Sequence, residues 1–347
     1  MRTSDFNYYL PEQLIAQTPL EPRDSSRMMV CNRNNSNRAD KAFKEIVQYL
    51  HPGDVMVIND TKVIPARLIG KKNSSGITVE FLLLKRLEMD MWEVLVRPGR
   101  RLHTGDTVSF GDGLLKAEIL ESTESGGRIV RFVYSGIFEP ILEELGQMPL
   151  PPYIHEKLLD PERYQTVYAH FDGSAAAPTA GLHFTDGLLK EIKEKGIQIV
   201  PVLLHVGLGT FRPVKEEDVE KHIMHSEYYQ VSADAAEKIN KAKKDGGRLL
   251  CIGTTSMRTV ETVADDQGKI HAGCGDTDIF IKPGVKIKAT DMLLTNFHLP
   301  QSTLLMLVSA FMGRDNALDA YRDAVEKKYR FFSFGDCMLI GNDLVSK

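Results

Sequence analysis

The chain contains 347 residues, of which 42% are hydrophobic and 26% are charged, and its formal net charge is −4. This length suits two domains, or one domain with a large insertion, and the composition is typical of a globular protein. No apolar run approaches the roughly 20 residues that a membrane span requires. The first residues lack the apolar core of a signal peptide, so we expect a cytoplasmic location.

Neither a metal site nor a disulfide framework is expected. The four cysteines are scattered and form no C-x-x-C pair, which argues against a zinc ribbon and is compatible with reduced thiols. His222 and His225 stand three residues apart, but no third ligand follows at a suitable spacing. We therefore expect no bound metal.

The first predicted elements are a helix and a strand. Residues 40–50 have the periodicity of an amphipathic helix with Asp40 as its N-cap. Pro52 and Gly53 end it, and 54–58 has the pattern of a buried strand that runs into Asn59 and Asp60. Ligands of open α/β sheets usually bind at the carboxyl ends of strands, so Asn59 and Asp60 are candidate ligand-binding residues.

The pattern changes between residues 63 and 149. Six short strands, separated by turn residues and not by helices, predict a small β-barrel or sandwich. They are expected at 63–69, 77–84, 92–96, 107–110, 114–120 and 129–134. We therefore predict an inserted β-barrel domain at 63–149 within a discontinuous α/β catalytic domain at 1–62 and 150–347.

A local excess of positive charge lies mostly in this insert. From Thr61 to Arg101 there are nine basic and four acidic residues. Such an excess is typical of a surface that faces a polyanion. A solvated strand face is the simpler interpretation of these residues taken alone.

Helices and strands alternate after residue 185. We expect helices at 187–195, 233–244, 302–312 and 317–328, a further helix from about 253 through Glu261, and strands at 197–206, 248–252, 278–281 and 337–340. Several strand ends are rich in Gly and Thr and lead into helices. The prediction is an α/β fold with a largely parallel sheet, flanking helices and a cleft at one edge.

Three loops carry residue types suited to a polar ligand. Residues 176–185 are nearly uncharged, contain Pro178 and Gly181, and present His183 before a helix N-terminus, where free N–H groups can receive an anion. A buried loop whose histidine is merely hydrogen-bonded is the alternative. Residues 253–258 suit a carboxylate, a phosphate or ribose hydroxyls, with ordinary helix capping as the alternative. Residues 295–303 place Asn296 and His298 before an apolar helix.

The loop that follows the strand at 197–206 is not a dinucleotide fingerprint. Gly207 and Gly209 are present, but Arg212 occupies the place of the third glycine of G-x-G-x-x-G, and Pro213 follows where a helix should be under way. The loop therefore gives no support to a Rossmann-type methyltransferase or dehydrogenase. The Gly, Thr, His and Arg residues at the ends of several strands, taken together, favour an enzyme that binds a polar, nucleoside-like ligand.

Long motifs in the same order along the whole chain resemble the S-adenosylmethionine:tRNA ribosyltransferase-isomerase family of queuosine biosynthesis. The matching segments are 57–67, 164–169, 176–185, 205–214, 224–227, 253–261, 295–313 and 329–336. The resemblance implies an α/β domain with an inserted β-barrel. It also implies S-adenosylmethionine as the ribosyl-donating co-substrate, tRNA as the partner, and neither a metal nor an obligate protein partner.

The implied reaction takes place on tRNA that carries 7-aminomethyl-7-deazaguanine at the wobble position. The ribosyl part of S-adenosylmethionine is transferred to the amine of that base and isomerised, adenine and methionine are released, and epoxyqueuosine is formed. The sulfonium acidifies the adjacent 5′ carbon, and adenine needs a proton as it leaves. Each such acid–base role typically contributes roughly 10²–10⁴-fold.

On this resemblance we assign residues to three roles. The candidate catalytic residues are His183, His205, Glu227 and His298. The candidate substrate-binding residues are Asn59, Asp60, Thr179, Gly181, Gly207, Gly209, Thr210, Arg212, Thr254, Thr255, Ser256, Arg258 and Asn296. The candidate tRNA-binding residues are Lys71, Lys72, Arg97, Arg100 and Arg101, whose phosphate contacts would make binding fall with salt.

Two functions of other classes compete with this assignment. A conventional tRNA methyltransferase would add a methyl group and not a ribosyl group, and the missing glycine fingerprint disfavours it. A non-catalytic RNA-binding module would bind tRNA without consuming S-adenosylmethionine, and the clusters of His, Thr and Arg at strand ends exceed what phosphate binding needs.

Overall fold

The computed structural model describes residues 1–123, 126–156, 158–207, 214 and 216–346. The chain forms two compact units. The α/β unit comprises 1–61, 152–171 and 177–347, and the barrel unit comprises 62–151 and 172–176. Among the described residues, none of the helices combines the length and the apolar character that crossing a bilayer requires.

The strands are numbered in chain order. They are β1 Arg27–Asn32, β2 Arg38–Ala42, β3 Val55–Asn59, β4 Thr61–Val63, β5 Arg67–Lys72, β6 Thr78–Arg86, β7 Met91–Arg97, β8 Thr107–Phe110, β9 Leu115–Ser122, β10 Arg128–Tyr134, β11 Gly146–Gln147, β12 Phe171–Ser174, β13 Gln198–Leu204, β14 Glu227–Val231, β15 Leu249–Ile252, β16 Gly273–Thr277, β17 Met292–Asn296 and β18 Cys337–Gly341.

The α-helices are α1 Phe138–Leu145, α2 Asp186–Glu194, α3 Ala233–Lys244, α4 Gly253–Val263, α5 Thr303–Met312 and α6 Arg314–Glu326. Short 3₁₀ helices lie at Thr3–Phe6, Glu12–Leu14, Arg23–Ser25, Phe43–Tyr49, Gly99–Arg101, Gly111–Gly113, Pro161–Tyr164, Thr179–His183 and Val219–Lys221. Helix α3 occupies the predicted residues, because the Ser232 side chain caps its first turn and Ala235, Ala236 and Ile239 bury one face.

The α/β unit is built on a nine-stranded sheet in the order β16-β14-β13-β3-β15-β17-β18-β1-β2. Strands β13, β3, β15 and β17 are parallel neighbours, and β18 is parallel to β1. The pairs β14–β13, β16–β14, β17–β18 and β1–β2 are antiparallel. The sheet is therefore mixed, and the prediction that it is largely parallel is not confirmed.

The antiparallel pairs follow from connections that the sequence pattern did not reveal. Strands β1 and β2 are joined by residues 33–37, in which Arg33 is followed by Asn and Ser residues that suit a turn. A turn this short can only join antiparallel neighbours. A strand was predicted at 278–281, but the strand, β16, lies at Gly273–Thr277 and pairs with β14. The parallel arrangement expected of alternating strands and helices is found in the run β13-β3-β15-β17 and in the pair β18–β1.

Side chains alternate between the two faces of this sheet, and each face has its own core. Val55 and Val57 pack with residues of α3, α4, α5 and α6 on one face. Met56 and Ile58 pack with residues of α2 and of the 3₁₀ helix Phe43–Tyr49 on the other. The result is the predicted α/β arrangement with helices on both faces of the sheet.

The helix predicted at 40–50 is wrong in two respects. Asp40 lies in strand β2 and is not an N-cap; its Oδ1 accepts a hydrogen bond of 2.5 Å from the Tyr329 hydroxyl. Phe43–Tyr49 is a 3₁₀ helix. Phe43 and Ile46 are fully buried, and a spacing of three residues places them on the same face of a helix with three residues per turn.

The barrel unit contains a closed antiparallel barrel, as predicted. The strands pair in the order β5-β6-β7-β10-β9-β8, and β8 pairs again with β5 to close the ring. Strand β11 pairs with the first two residues of β5, Arg67 and Leu68. The inward side chains form one apolar core, which includes Phe81, Val94, Phe110 and Phe132. The first barrel strand begins at Arg67, four residues later than predicted, because residues 64–66 are not part of a strand.

Candidate active site

An open cavity in the α/β unit lies where strands β15 and β17 end. The first turn of α4 forms one side of it, and the segment that follows β17 forms another. The lining residues are Tyr153, Ala177, Pro178, Thr179, Ala180, Val206, Gly253, Thr254, Thr255, Thr295, Asn296, Phe297, His298, Leu299, Ser302, Leu304, Phe332 and Ser333. Because β15 and β17 are parallel, their carboxyl ends meet at the edge of the sheet where ligands usually bind.

The N-terminus of α4 opens into this cavity. Its N-cap, Ile252, provides no side-chain hydrogen bond to the first turn. Thr255 is only 8% exposed, and its Oγ1 has no hydrogen-bond partner within the described part of the chain. The Ser256 hydroxyl donates instead to the Ile252 carbonyl at 2.7 Å, so Ser256 is used within the helix. The helix thus leaves backbone N–H groups and the Thr254 and Thr255 side chains for oxygen atoms of a ligand.

His298 is the candidate acid–base residue that lines the cavity. Its Nε2 lies 2.8 Å from Thr295 Oγ1, and burial lowers the pKa of the imidazole to about 3. The ring is therefore neutral at neutral pH. It can accept a proton or donate a hydrogen bond from its N–H group, but it does not act as a resident imidazolium.

His183 is buried beneath the cavity and has both ring nitrogens occupied. The Ser26 hydroxyl lies 2.8 Å from Nδ1, and Asn296 Oδ1 lies 2.9 Å from Nε2. Burial lowers the pKa of His183 to about 4. This arrangement is the alternative that the sequence left open, a buried histidine held by hydrogen bonds, although its partner Asn296 does line the cavity.

The end of β3 is tied to the end of β13. Asn59 Oδ1 accepts from the Leu204 amide at 3.0 Å, and Asn59 Nδ2 donates to the Leu204 carbonyl at 2.9 Å. Thr61 Oγ1 lies 2.8 Å from Nδ1 of His205, whose ring stacks on Tyr228. Asn59 is therefore occupied by the backbone, and it acts by holding the segment that carries His205.

Glu227 and Arg258 form a buried ion pair at the start of β14. Glu227 Oε2 contacts Arg258 Nη1, both side chains are 3% exposed, and Glu227 Oε1 accepts from the Gly207 amide at 2.9 Å. The Nε and Nη2 atoms of Arg258 are buried and have no hydrogen-bond partner among the residues that the structure describes. This free edge of the guanidinium has the geometry that receives a carboxylate through two parallel hydrogen bonds.

Asp60 lies at the end of β3 and is 8% exposed. Burial raises the pKa of its carboxyl group to about 6. Its amide donates to the Val202 carbonyl, and its own carbonyl accepts from the amides of His170 and Phe171, so the backbone is held on both sides of the side chain. Asp60 is thus a group whose charge changes near neutral pH.

Gly181 lies in the 3₁₀ helix Thr179–His183 and is required by close packing. A Cβ atom at this position would lie 2.1 Å from the Tyr168 hydroxyl. Its neighbour Thr179 lines the cavity. The predicted ligand-binding residues Gly209, Thr210 and Arg212 lie outside the described residues.

The sequence reasoning missed several residues of this site. Thr295 contacts His298, and Tyr153 and Phe332 form part of the wall with ring centroids 4.7 Å apart. Thr295 had a usable signal, since it stands at the carboxyl end of a buried strand next to Asn296. Ser26 carried none, because its contact with His183 joins residues 157 positions apart.

The basic residues of the barrel unit fall into two groups. Lys71, Arg97, Arg100 and Arg101 are exposed. Lys72 is engaged internally: its Nζ lies 2.7 Å from Asp106 Oδ2 and donates to the Arg101 carbonyl at 3.0 Å. Within the described part of the chain, no group of three or more His, Cys, Asp or Glu side chains is arranged to hold a metal.

Comparison with known proteins identifies the family. The model of the family described as "Queuosine biosynthesis protein" matches residues 3–340. The chain belongs to this queuosine biosynthesis family. The resemblance predicted from the motifs is confirmed, and the family model covers both the α/β unit and the barrel unit.

Relatives in the queuosine biosynthesis family match along their full length. S-adenosylmethionine:tRNA ribosyltransferase-isomerases from Thermoanaerobacter sp. (strain X514), Caldanaerobacter subterraneus subsp. tengcongensis and Clostridioides difficile are 59%, 60% and 58% identical over 340 residues, 98% of this chain and 100% of each relative. The crystal structure of a S-adenosylmethionine tRNA ribosyltransferase from Thermotoga maritima is 40% identical. It covers 97% of this chain and 100% of its own, with a TM-score of 0.56.

Proposed function

We propose that this protein is a S-adenosylmethionine:tRNA ribosyltransferase-isomerase. It transfers the ribosyl moiety of S-adenosylmethionine to 7-aminomethyl-7-deazaguanine at the tRNA wobble position and isomerises it. The products are epoxyqueuosine-tRNA, adenine and methionine. The observation that carries the proposal is the full-length match to ribosyltransferase-isomerases at about 60% identity, in a chain whose cavity brings the predicted Thr254, Thr255, Asn296 and His298 together.

The first step of the proposal places S-adenosylmethionine in the cavity. The uncapped N-terminus of α4, with Thr254 and Thr255, offers N–H and hydroxyl groups to the ribose oxygens. Tyr153 and Phe332 offer an apolar wall to the adenine ring. Arg258, with its free guanidinium edge, is the partner for the methionyl carboxylate.

Proton transfer is the second step. In this proposal His298, a neutral imidazole in the cavity wall, accepts the proton from the 5′ carbon next to the sulfonium. The assignment rests on its position in the cavity, because a lowered pKa weakens a base. Asp60 carries a raised pKa of about 6, which suits a group that is part protonated at neutral pH. His205 follows the end of β13 and Glu227 begins β14, and both remain acid–base candidates in this proposal. His183 acts by positioning Asn296.

The tRNA lies against basic residues of the insert in this proposal. The domain at 1–62 and 150–347 carries the chemistry, and the domain at 63–149 supplies exposed Lys71, Arg97, Arg100 and Arg101 to phosphates. The proposal includes S-adenosylmethionine as co-substrate, tRNA already carrying the aminomethyl-deazaguanine base, no metal, no obligate protein partner and a cytoplasmic location.

The deciding experiment combines the purified protein, S-adenosylmethionine and an anticodon stem-loop with the aminomethyl-deazaguanine base. Mass spectrometry follows adenine, methionine and the modified nucleoside. Release of both small products together with a ribosyl-sized gain on the base is the expected result. A methyl-sized gain would replace the proposal by a methyltransferase, and binding without turnover would replace it by an RNA-binding module. A stem-loop with unmodified guanine is the matched control.

A further inference from the structure

We propose that Tyr8 and Tyr321 are positioning residues that hold His298 in its orientation towards the cavity, so that the first residues of the chain form part of the active site. This inference rests on the proposed function, because it assigns to His298 a role in the ribosyl-transfer reaction. It adds Tyr8 and Tyr321 to the residues on which the candidate site depends.

The main chain of His298 is bound on both sides by tyrosine hydroxyls. The Tyr8 hydroxyl donates to the His298 carbonyl at 2.5 Å, and the His298 amide donates to the Tyr321 hydroxyl at 3.1 Å. Both tyrosines are buried, and their rings meet edge to face with centroids 5.2 Å apart. One pair of packed side chains therefore fixes the position of the peptide groups before and after the His298 side chain.

The segment around His298 has further constraints, and the N-terminal residues supply one of them. The Gln301 amide donates to the Phe6 carbonyl at 3.0 Å, and the Phe332 amide donates to the Phe297 carbonyl at 3.2 Å. Thr295 Oγ1 holds the imidazole itself through Nε2. With the backbone fixed and one ring nitrogen occupied, the imidazole has little freedom to leave the cavity wall.

The hydrogen bonds that hold His298 in place should affect the rate of proton transfer. A proton acceptor works only when it is held within hydrogen-bond reach of the atom that loses the proton, and a displacement of about 1 Å can cost on the order of 10²-fold in rate. Loss of either tyrosine hydroxyl releases one side of the His298 backbone without altering the cavity wall. The change should therefore appear in kcat more than in the KM for S-adenosylmethionine.

The experiment compares Tyr8→Phe and Tyr321→Phe with Tyr329→Phe. Tyr329 is also fully buried and packs on Phe297, but its hydroxyl donates to Asp40 and not to the His298 backbone. We expect Tyr8→Phe and Tyr321→Phe to lower kcat by about 10–100-fold with little change in KM, and Tyr329→Phe to leave kcat unchanged. Equal kcat values for all three variants and the wild type would overturn the proposal.

A second measurement separates positioning from a general structural effect. If Tyr8 acts through His298, Tyr8→Phe lowers kcat in the wild type but has no further effect in a His298→Ala background. The same fold-loss in both backgrounds would contradict the proposal. Thermal unfolding of each variant establishes that the folded protein is being compared.

A third measurement does not depend on turnover. The NMR signal of the His298 imidazole, assigned by its absence in His298→Gln, is expected to be single and sharp in the wild type and in Tyr329→Phe, and shifted or broadened in Tyr8→Phe. An unchanged signal in Tyr8→Phe would argue against positioning. An absence of ribosyl transfer by the wild type, with the NMR result as expected, would instead contradict the proposed function.

Discussion

His183 donates a hydrogen bond from Nε2 to Asn296 Oδ1 at 2.9 Å. The direction follows from the partners of the amide: Asn296 Nδ2 donates to the carbonyls of Phe332 and Ser333, so its Oδ1 is the acceptor. The Ser26 hydroxyl then donates to Nδ1 of the neutral ring. This buried relay holds Asn296 at the cavity wall, and it makes His183 a residue that supports the site.

The first prediction concerns the stability that this relay provides. His183→Ala leaves the buried Ser26 hydroxyl and Asn296 Oδ1 without their partner, and an unsatisfied buried polar group costs about 1–3 kcal/mol. We expect the free energy of unfolding to fall by about 2–5 kcal/mol for the two groups together. Urea denaturation measures this, with His170→Ala, at an exposed position, as the control. Wild-type stability in His183→Ala would show that the relay is not formed.

The second prediction concerns the pH dependence of stability. Burial lowers the pKa of His183 from 6.5 to about 4 and that of His298 from 6.5 to about 3, and it raises the pKa of Asp60 from 3.8 to about 6. Near pH 5 both histidines are protonated in the unfolded chain but neutral in the folded protein. Asp60 is protonated in the folded protein but ionised in the unfolded chain. The difference is 2 − 1 = 1 proton in favour of the unfolded state.

These three groups together should therefore lower the stability by about 1.4 kcal/mol per pH unit as the pH falls from about 6 to 4.5. The two histidines contribute stability that is present above pH 6.5 and is lost towards their folded pKa values, whereas the Asp60 contribution has the opposite sign. Asp60→Asn removes the compensating proton and should steepen the slope by about 1.4 kcal/mol per pH unit. Urea denaturation at a series of pH values tests this, and equal slopes for the two proteins would contradict it.

Caps and apolar periodicity in the sequence predicted correctly those helices and strands that the tertiary structure also favours. Helix α3, with its Ser232 cap and apolar face, and strand β3, a short apolar run, were both found within one residue. The edge strand β2 has the sequence Arg38-Ala39-Asp40-Lys41-Ala42 and carries no strand pattern, because it is paired on one side only. Because β2 has no strand pattern, part of it was assigned to a helix.

The candidate site could be predicted as a set of loops, but not as a set of roles. Asn296, His298, Thr254 and Thr255 stand at strand ends that face one cavity, which is a consequence of parallel pairing. Whether the ring nitrogens of a histidine are hydrogen-bonded inside the protein depends on contacts between residues that are distant in sequence. The hydrogen bond of His183 to Asn296, 113 positions away, is an example. Spacing along the chain contains no information on such contacts.

The third prediction concerns the glycine at position 181. A Cβ atom there would lie 2.1 Å from the Tyr168 hydroxyl and 2.7 Å from Thr166 Cγ2, so Gly181→Ala must displace the loop that carries His183. We expect a loss of stability of about 1–3 kcal/mol. The Tyr168 hydroxyl has no hydrogen-bond partner among the described residues, so Tyr168→Phe alone should cost little and should recover part of the loss in Gly181→Ala. Additive effects of the two substitutions would contradict this explanation.

The fourth prediction concerns the buried pair of Glu227 and Arg258. Glu227→Gln leaves the Arg258 charge buried without its counter-charge, and breaking one partner of such a pair costs about 3–5 kcal/mol. The double variant Glu227→Gln with Arg258→Met removes both charges and should recover most of that stability. Chemical denaturation of the two single variants and the double variant measures the coupling. A double variant as unstable as the sum of the singles would mean that the ion pair contributes nothing.

The fifth prediction separates exposed basic residues of the barrel unit from the one that is engaged internally. Arg97 and Arg100 are exposed, whereas Lys72 is held by Asp106 and the Arg101 carbonyl. If Arg97 and Arg100 meet phosphates, their joint replacement by alanine should weaken tRNA binding and reduce the slope of log K against log salt by about 1–2. Lys72→Ala should leave that slope unchanged, because its charge is already paired. Filter binding of tRNA between low and physiological salt measures both, and identical slopes for wild type and the arginine variant would exclude these two residues from the tRNA contact.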